Sequence, residues 1–285
     1  MSIKIITDSA SDIGKDLAKD FSIDIMPIAI MKDDKTYLDG VDISGKEIYE
    51  DMRNGAVYKT GAITPHEYEV KFEEVLNKYD KAIYVSLSTG MSSTFNNAVL
   101  AMNSLGIGDD RLLLVDSRGA SMGQGMMAIN LAKLAKEGMS FDELKLYADN
   151  FVKNTRYVFF VDSLEYLQRG GRVSKLKATI GNLINMKVIL HLHDDGVIYT
   201  RDKVRGTNRA IAKTVEIFEE EVGHELYDDR IMVCHADCIE LATKVRDALV
   251  EKYPDKTIEL NPFAVSIGAH TGPGTVHICA VKKFE

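Results

Sequence analysis

The stretch SIGAHTGPGTVHI, residues 266–278, places His270 beside Thr271-Gly272-Pro273-Gly274. An imidazole there offers a catalytic base, a metal ligand or an anion contact. A second group of reactive types is hydroxylic: Thr7, Ser9, Ser86, Ser88, Thr89, Ser92, Ser93, Thr94 and Ser117 fall where apolar runs end and helical patterns begin. Hydroxyls and free backbone N–H groups at a helix N-terminus favour an anion. Capping alone explains any one of these serines, but the group exceeds what one cap needs. No G-x-x-x-x-G-K-[ST] is present and no G-x-G-x-x-G follows the first strand, so a nucleotide cradle is unsupported. No lysine or arginine lies inside the cluster, where a phosphate would want one. A carboxylate suits this inventory better, because a few hydroxyls and one imidazole can hold its two oxygens. The rival is a serine hydrolase built from Ser92, His270 and Asp8 or Asp116. Its G-x-S-x-G elbow is missing, yet triads follow no fixed chain order, so that reading stays open. Cys234, His235 and Cys238 lack the second ligand pair of a structural metal site. Cys234 is expected to end a strand and Cys238 to open the next helix.

The elements that must position these groups alternate. The runs IKIIT, IDIMPIAI, KAIYVSL and RLLLVDS read as strands, the second of them as one continuous strand. DIGKDLAKDF, the segment from about Ser92, and GMMAINLAKLAKEG read as helices. Uniformly apolar strands separated by helices predict a parallel sheet covered on both faces, that is, a doubly wound α/β half. Beyond RYVFFV and the short helix SLEYLQRGGR, the run KVILHLHDDGVIYTRDKV carries Asp195-Gly196 between strand-like segments, a hairpin signal. Helix NRAIAKTVEIFEEEV, strand RIMVCH, a helix through Tyr253 and the closing strand TVHICAVKKF complete a mixed α+β half. The expected division is 1–155 and 156–285, with His270 in a glycine-rich turn between two strands.

The 285 residues carry a net charge of −8 with no basic run, which disfavours nucleic acid as a partner. No apolar run is long enough to span a bilayer, so contact with a membrane is expected to be at most transient and at its surface. The start lacks a signal-peptide layout and the three cysteines are sparse, which together predict a cytoplasmic protein with reduced thiols.

Several segments in order resemble the DegV family of bacterial fatty-acid-binding proteins: TDSASDI, IMPIAIMKDDKTYLDGVDIS, LSTGMSSTFNNA, VDS, DSLEYLQRGGRVS, GNLINMKVIL with DGVIY, and GAHTGPGT. Some members are the lipid-carrying subunit of a two-component fatty acid kinase. The resemblance implies two α/β domains enclosing a long acyl chain, with no cofactor besides that ligand and no catalysis by the chain itself. It implies a separate ATP-dependent kinase as partner, which would phosphorylate the carried acid to acyl phosphate. The family's carboxylate-binding positions fall on Thr60, Ser92 with Ser93, and His270, with Thr271 and Gly272 as adjoining loop backbone. Arg172 and Arg205 are candidate kinase contacts, with Arg169, Arg201 and Lys203 near them in sequence. A sensor or carrier without a kinase is a further reading. Thr60-Gly61-Ala62-Ile63 replaces the family's T-S-Q-P, Ser93 replaces the glycine of S-G-T, and Met186-Lys187-Val188 replaces I-K-P. The 12 methionines and absent tryptophan suit a flexible ligand, with MGQGMMAIN and GNLINMKVIL as expected tunnel walls.

Overall fold

The computed structural model describes residues 2–172 and 186–284, which form three sheets. The first has the order β2 (Asp24–Met26), β1 (Ile3–Asp8), β6 (Lys81–Ser86), β7 (Leu112–Asp116), and every pairing in it is parallel. Its two faces are covered by alternate side chains of the same strands. Ile6, Tyr84 and Leu112 pack with Tyr68 and Phe72 of α3 (Pro65–Leu76) and with Ala98 and Ala101 of α4 (Thr94–Ser104). Ile5, Ile83 and Leu113 point the other way, onto α5 (Ser121–Lys136) and α6 (Phe141–Asn154). This is the doubly wound half that the apolar strand pattern predicts. Capping boxes at Thr64/Glu67 and Ser140/Glu143 start α3 and α6 by satisfying their first amides.

IDIMPIAI is not one strand. Pro27 lacks an N–H to extend the ladder, and the chain leaves the parallel sheet there. It enters a separate antiparallel sheet of order β4 (Lys35–Leu38), β3 (Ala29–Lys32), β5 (Lys59–Gly61). Helix α1 (Lys15–Asp20) precedes β2, and α2 (Gly45–Arg53) lies between β4 and β5 in sequence.

The third sheet has the order β10 (Ile198–Arg205), β9 (Met186–Leu192), β8 (Thr155–Val161), β13 (Val276–Val281), β11 (Arg230–His235), β12 (Thr257–Pro262). All its pairings are antiparallel except β11 with β12, and β9–β10 is the hairpin expected around Asp195-Gly196. Val158, Phe160, Val233 and Ile278 face α8 (Thr207–Val222) and α9 (Ile239–Lys252), while Tyr157, Met232 and Cys279 face the core that contains α5. The sheet's strands all begin at or after Thr155, and those of the other two precede it. Helix α7 (Glu165–Arg169) follows β8, and α10 (Val265–Thr271) joins β12 to β13. The turn expected around His270 is therefore largely a helix, which Gly272-Pro273-Gly274 ends. Cys234 lies within β11 and Cys238 is the residue just before α9, its Sγ bonded to the Thr275 carbonyl.

Helix α5 is the shared layer between the halves. Every residue from Ser121 through Leu131 is buried, so the helix has core on all sides. MGQGMMAIN falls in this stretch, and its methionines pack the core instead of walling a tunnel; of GNLINMKVIL, residues 181–185 lie outside the described residues. Gly123 lets Tyr157 of β8 approach the helix: a Cβ there would lie 2.2 Å from the Tyr157 ring. Alanine is the better helix former by ~1 kcal/mol, but forcing a methyl into a fully buried ring costs typically ~1–3 kcal/mol. Gly123→Ala should therefore lower the urea midpoint of unfolding, and an unchanged or raised midpoint would refute this packing.

Candidate functional site

Helix α10 has seven residues, too few to be stable by itself. Side chains from the N-terminal half hold its start. Asp39 Oδ1 accepts the Val265 amide at 3.1 Å, and Oδ2 accepts the Ser266 amide and the Ser9 hydroxyl, both at 3.0 Å. Asp12 Oδ1 accepts the Ala264 amide at 2.7 Å, while Ser121 at the start of α5 donates to Oδ2. Burial pushes the carboxyls of Asp12 and Asp39 above the usual range, and the hydrogen bonds from Ser121, Ser9 and the α10 amides oppose that rise.

The other end of α10 carries His270, whose Nε2 lies 2.7 Å from Thr60 Oγ1 on β5. Thr60 is a strand residue opposite Ile30. His270 Nδ1 has no hydrogen-bond partner among the described residues and abuts Gly170, where a Cβ would come within 2.1 Å of that nitrogen. Only glycine leaves room there. Burial pulls the imidazole pKa down to about 4, and the neighbouring Arg172 guanidinium adds to the shift. The ring is thus neutral at pH 7. With its proton on Nε2 it donates to Thr60, leaving the threonine hydroxyl free to donate to an anion.

Both residues line a cavity of about 250 Å³ between the halves. Ser92, Ser93 and Thr94, at the start of α4, line it too. Ser92 Oγ is 2.8 Å from Thr94 Oγ1 and accepts the Thr94 amide at 3.2 Å, so the serine is fixed by the turn that opens the helix. Arg172 reaches the same patch: it donates to the Met91 carbonyl at 3.0 Å and to the Gly170 carbonyl, and desolvation lowers its pKa. Much of the remaining wall is apolar, including Ile28, Leu87, Phe159, Leu167, Ile198 and Ile267.

The predicted hydroxyl cluster therefore divides. Ser92, Ser93 and Thr94 face the cavity, while other members tie loops together: Thr7 donates to the Val85 carbonyl, Ser86 to Leu87, Ser88 to Gly196, Thr89 to Asp116 and Ser117 to Gly119. Thr271 lines the cavity; Gly272 is buried against the Tyr166 ring, its amide donated to Gly268. Arg172 is half-buried in the wall, whereas Arg205 is exposed at the end of β10. Arg169 pairs with Glu165 and Arg201 with Glu220 and Glu221. Two contributors went unmarked in the sequence: the glycine at 170 and the carboxylates that seat α10. Gly170 reads there as a helix stop, and only the fold brings it against His270.

A hydrolytic relay is not assembled. Ser92 is bonded to Thr94, His270 to Thr60, and among the described residues no carboxylate reaches His270 Nδ1. Asp8 is taken up by Tyr84, Leu87, Ala10 and Gln124, and Asp116 by Thr89 and Arg118. An imidazole held near pKa 4 is also a weak base at neutral pH. No helix among the described residues is long and apolar enough to cross a membrane.

Fold and site together define an α/β protein with an internal apolar cavity and one polar, hydroxyl-rich patch. The family model described as an uncharacterised protein of the DegV family matches residues 2–283, and the chain belongs to that family. It is 33% identical to a DegV domain-containing protein of Caldanaerobacter subterraneus subsp. tengcongensis, over 99% of both chains. It is also 33% identical to the protein DegV of Bacillus subtilis, over 98% of this chain and 99% of that one. Among solved structures, a DegV family protein from Thermus thermophilus described for its fatty acid binding superposes with a TM-score of 0.90 at 27% identity, covering 99% of this chain and 100% of that one. The structure of DegV from Bacillus subtilis, described as a fatty acid binding protein, superposes with a TM-score of 0.87 at 31% identity over 99% and 100%.

The depressed His270 pKa makes a signed prediction. The fold resists protonating this ring, so its contribution to stability is complete above its ordinary value of 6.5 and is lost as pH falls toward 4. Imidazole NMR should show His270 neutral at pH 6 and titrating near 4. A midpoint near 6.5 would contradict the burial described.

Proposed function

We propose that the chain binds a long-chain fatty acid in this cavity, its carboxylate held by Thr60, Ser92, Ser93 and His270, and presents it to a separate ATP-dependent kinase for phosphorylation to acyl phosphate. The observation that carries the reading is the pairing of Thr60 with a neutral His270 on the polar patch of an otherwise largely apolar cavity. The solved relatives described as fatty-acid-binding support the choice of ligand. An acyl chain gains ~0.8 kcal/mol per buried methylene, so the wall supplies most of the affinity. The polar patch fixes which end lies there. Hydroxyls donating to a carboxylate make charge-assisted hydrogen bonds, and the amides that begin α4 add a favourable partial charge. Arg172 beside the patch supplies positive charge where a negatively charged head group and an incoming phosphoryl group would meet. With Arg205 on the surface it forms the proposed contact with the kinase, which brings the nucleotide site this chain lacks. Such a carrier would work in the cytoplasm.

Truncating one hydroxyl that bonds a buried carboxylate should weaken binding roughly 10- to 100-fold, from ~1.5–3 kcal/mol per charge-assisted bond. Ser92→Ala and Thr60→Val should each do so in a fatty-acid displacement titration, with the fold intact by circular dichroism. Unchanged affinity in both would remove the head group from this patch. When loaded wild-type protein is mixed with the kinase and ATP, acyl phosphate should form. Arg205→Ala should slow its formation without emptying the cavity, and an equal rate would count against the proposed contact.

A further inference from the structure

Helix α10 gives the cavity a direction. Ser266, Ile267, His270 and Thr271 line it and, spaced three and four apart, share one face of the helix. Phe263 lines it too, two residues before the helix begins. His270 and the polar patch lie at the C-terminal end of this stripe. At 1.5 Å of rise per residue the helix start is ~8 Å back along the axis, and Phe263 precedes it. An acid held by its carboxylate at the patch, with its tail laid along α10, therefore runs toward Phe263. That side chain is 5% exposed, and its ring packs against His277 with centroids 6.1 Å apart. The Phe263 amide donates to the His235 carbonyl at 2.9 Å, which fixes the backbone that carries the ring.

Phe263 also borders a second space. A groove of about 820 Å³ is lined by α1, by residues 39–45 and by residues 261–265, and Ile13, Ile23, Ile25 and Ile43 give it an apolar surface. Among the described residues, Phe263 alone lines both the cavity and the groove, so at this point the partition is one residue thick. A smaller side chain at 263 would lengthen the cavity toward the groove, and a larger one would shorten it. We propose that Phe263 is a specificity-determining residue: it closes the tail end of the cavity and sets the longest acyl chain that the protein buries completely. The inference rests on reading the cavity as an acyl site, and it adds where the chain must end.

The test is a competition among lauric, myristic, palmitic, stearic, arachidic and behenic acids for the delipidated full-length protein, with bound acids counted by mass spectrometry after extraction. Each methylene that fits should raise affinity about four-fold, and the rise should stop, or reverse, at the first acid too long for the cavity. Phe263→Leu should move that break to a longer acid and Phe263→Trp to a shorter one. If only one of these variants keeps the wild-type circular dichroism, its shift decides. If neither does, Phe263→Met decides: it is close in volume and so least disruptive, and its flexible chain should yield and move the break to a longer acid. A break at the same acid in the wild type and in every folded variant overturns the assignment, as does an unbroken rise along the whole series in the wild type. Should the wild type take up no acid at all, the fatty-acid reading itself falls, and this inference with it.

Discussion

Asp39 accepts the first two amides of α10 and Asp12 accepts the amide of Ala264 just before them, so a seven-residue helix from the C-terminal half is fastened to the N-terminal half. A helix this short has no stability to spare, and its direction is set by what holds its first turn. With that end fixed, the far end delivers His270 to Thr60, a contact between residues 210 positions apart in sequence. The same two carboxylates reach Ser9 and Ser121, so the turn after β1, the start of α5 and α10 meet in one buried polar node. The polar patch of the cavity depends on this node more than on any residue that lines it.

The node also explains how a cavity persists between two halves. Close packing of α5 against both sheets leaves the halves no freedom to collapse onto the space between them, and Gly123 sets how near the third sheet approaches. Burial then does chemical work. It keeps His270 neutral beside a half-buried guanidinium, so the ring orients a hydroxyl without adding a second positive charge. A neutral relay and one cation suit the binding of an anion. A hydrolase would need a base near neutral pKa aligned on its serine, and here His270 is aligned on a threonine.

The sequence made the architecture legible because strand periodicity is a local signal. β1, β6 and β7 are apolar on both faces, and the Asp195-Gly196 hairpin announces itself. The single-strand reading of IDIMPIAI erred because a parallel strand and a following antiparallel one look alike when both are apolar; Pro27 was the mark of the division. His270 was expected in a turn because the glycines after it dominate the local composition, whereas Val265 through Thr271 become helical through carboxylates more than 200 residues away. Thr60, Ser92, Ser93 and His270 were nameable from motifs, but their convergence was not, nor was Arg172's place in the cavity wall. Those depend on Gly170 and on α10's anchoring, and tertiary contacts of that kind leave no periodic trace.

The central claim is that the cavity exists to hold an acyl chain by its carboxylate end. Native mass spectrometry of the freshly purified protein tests this most directly, because a ligand buried this way should survive isolation. The account predicts a retained mass matching a long-chain fatty acid, released on denaturation. A protein that is consistently empty and turns over an ester substrate would contradict it.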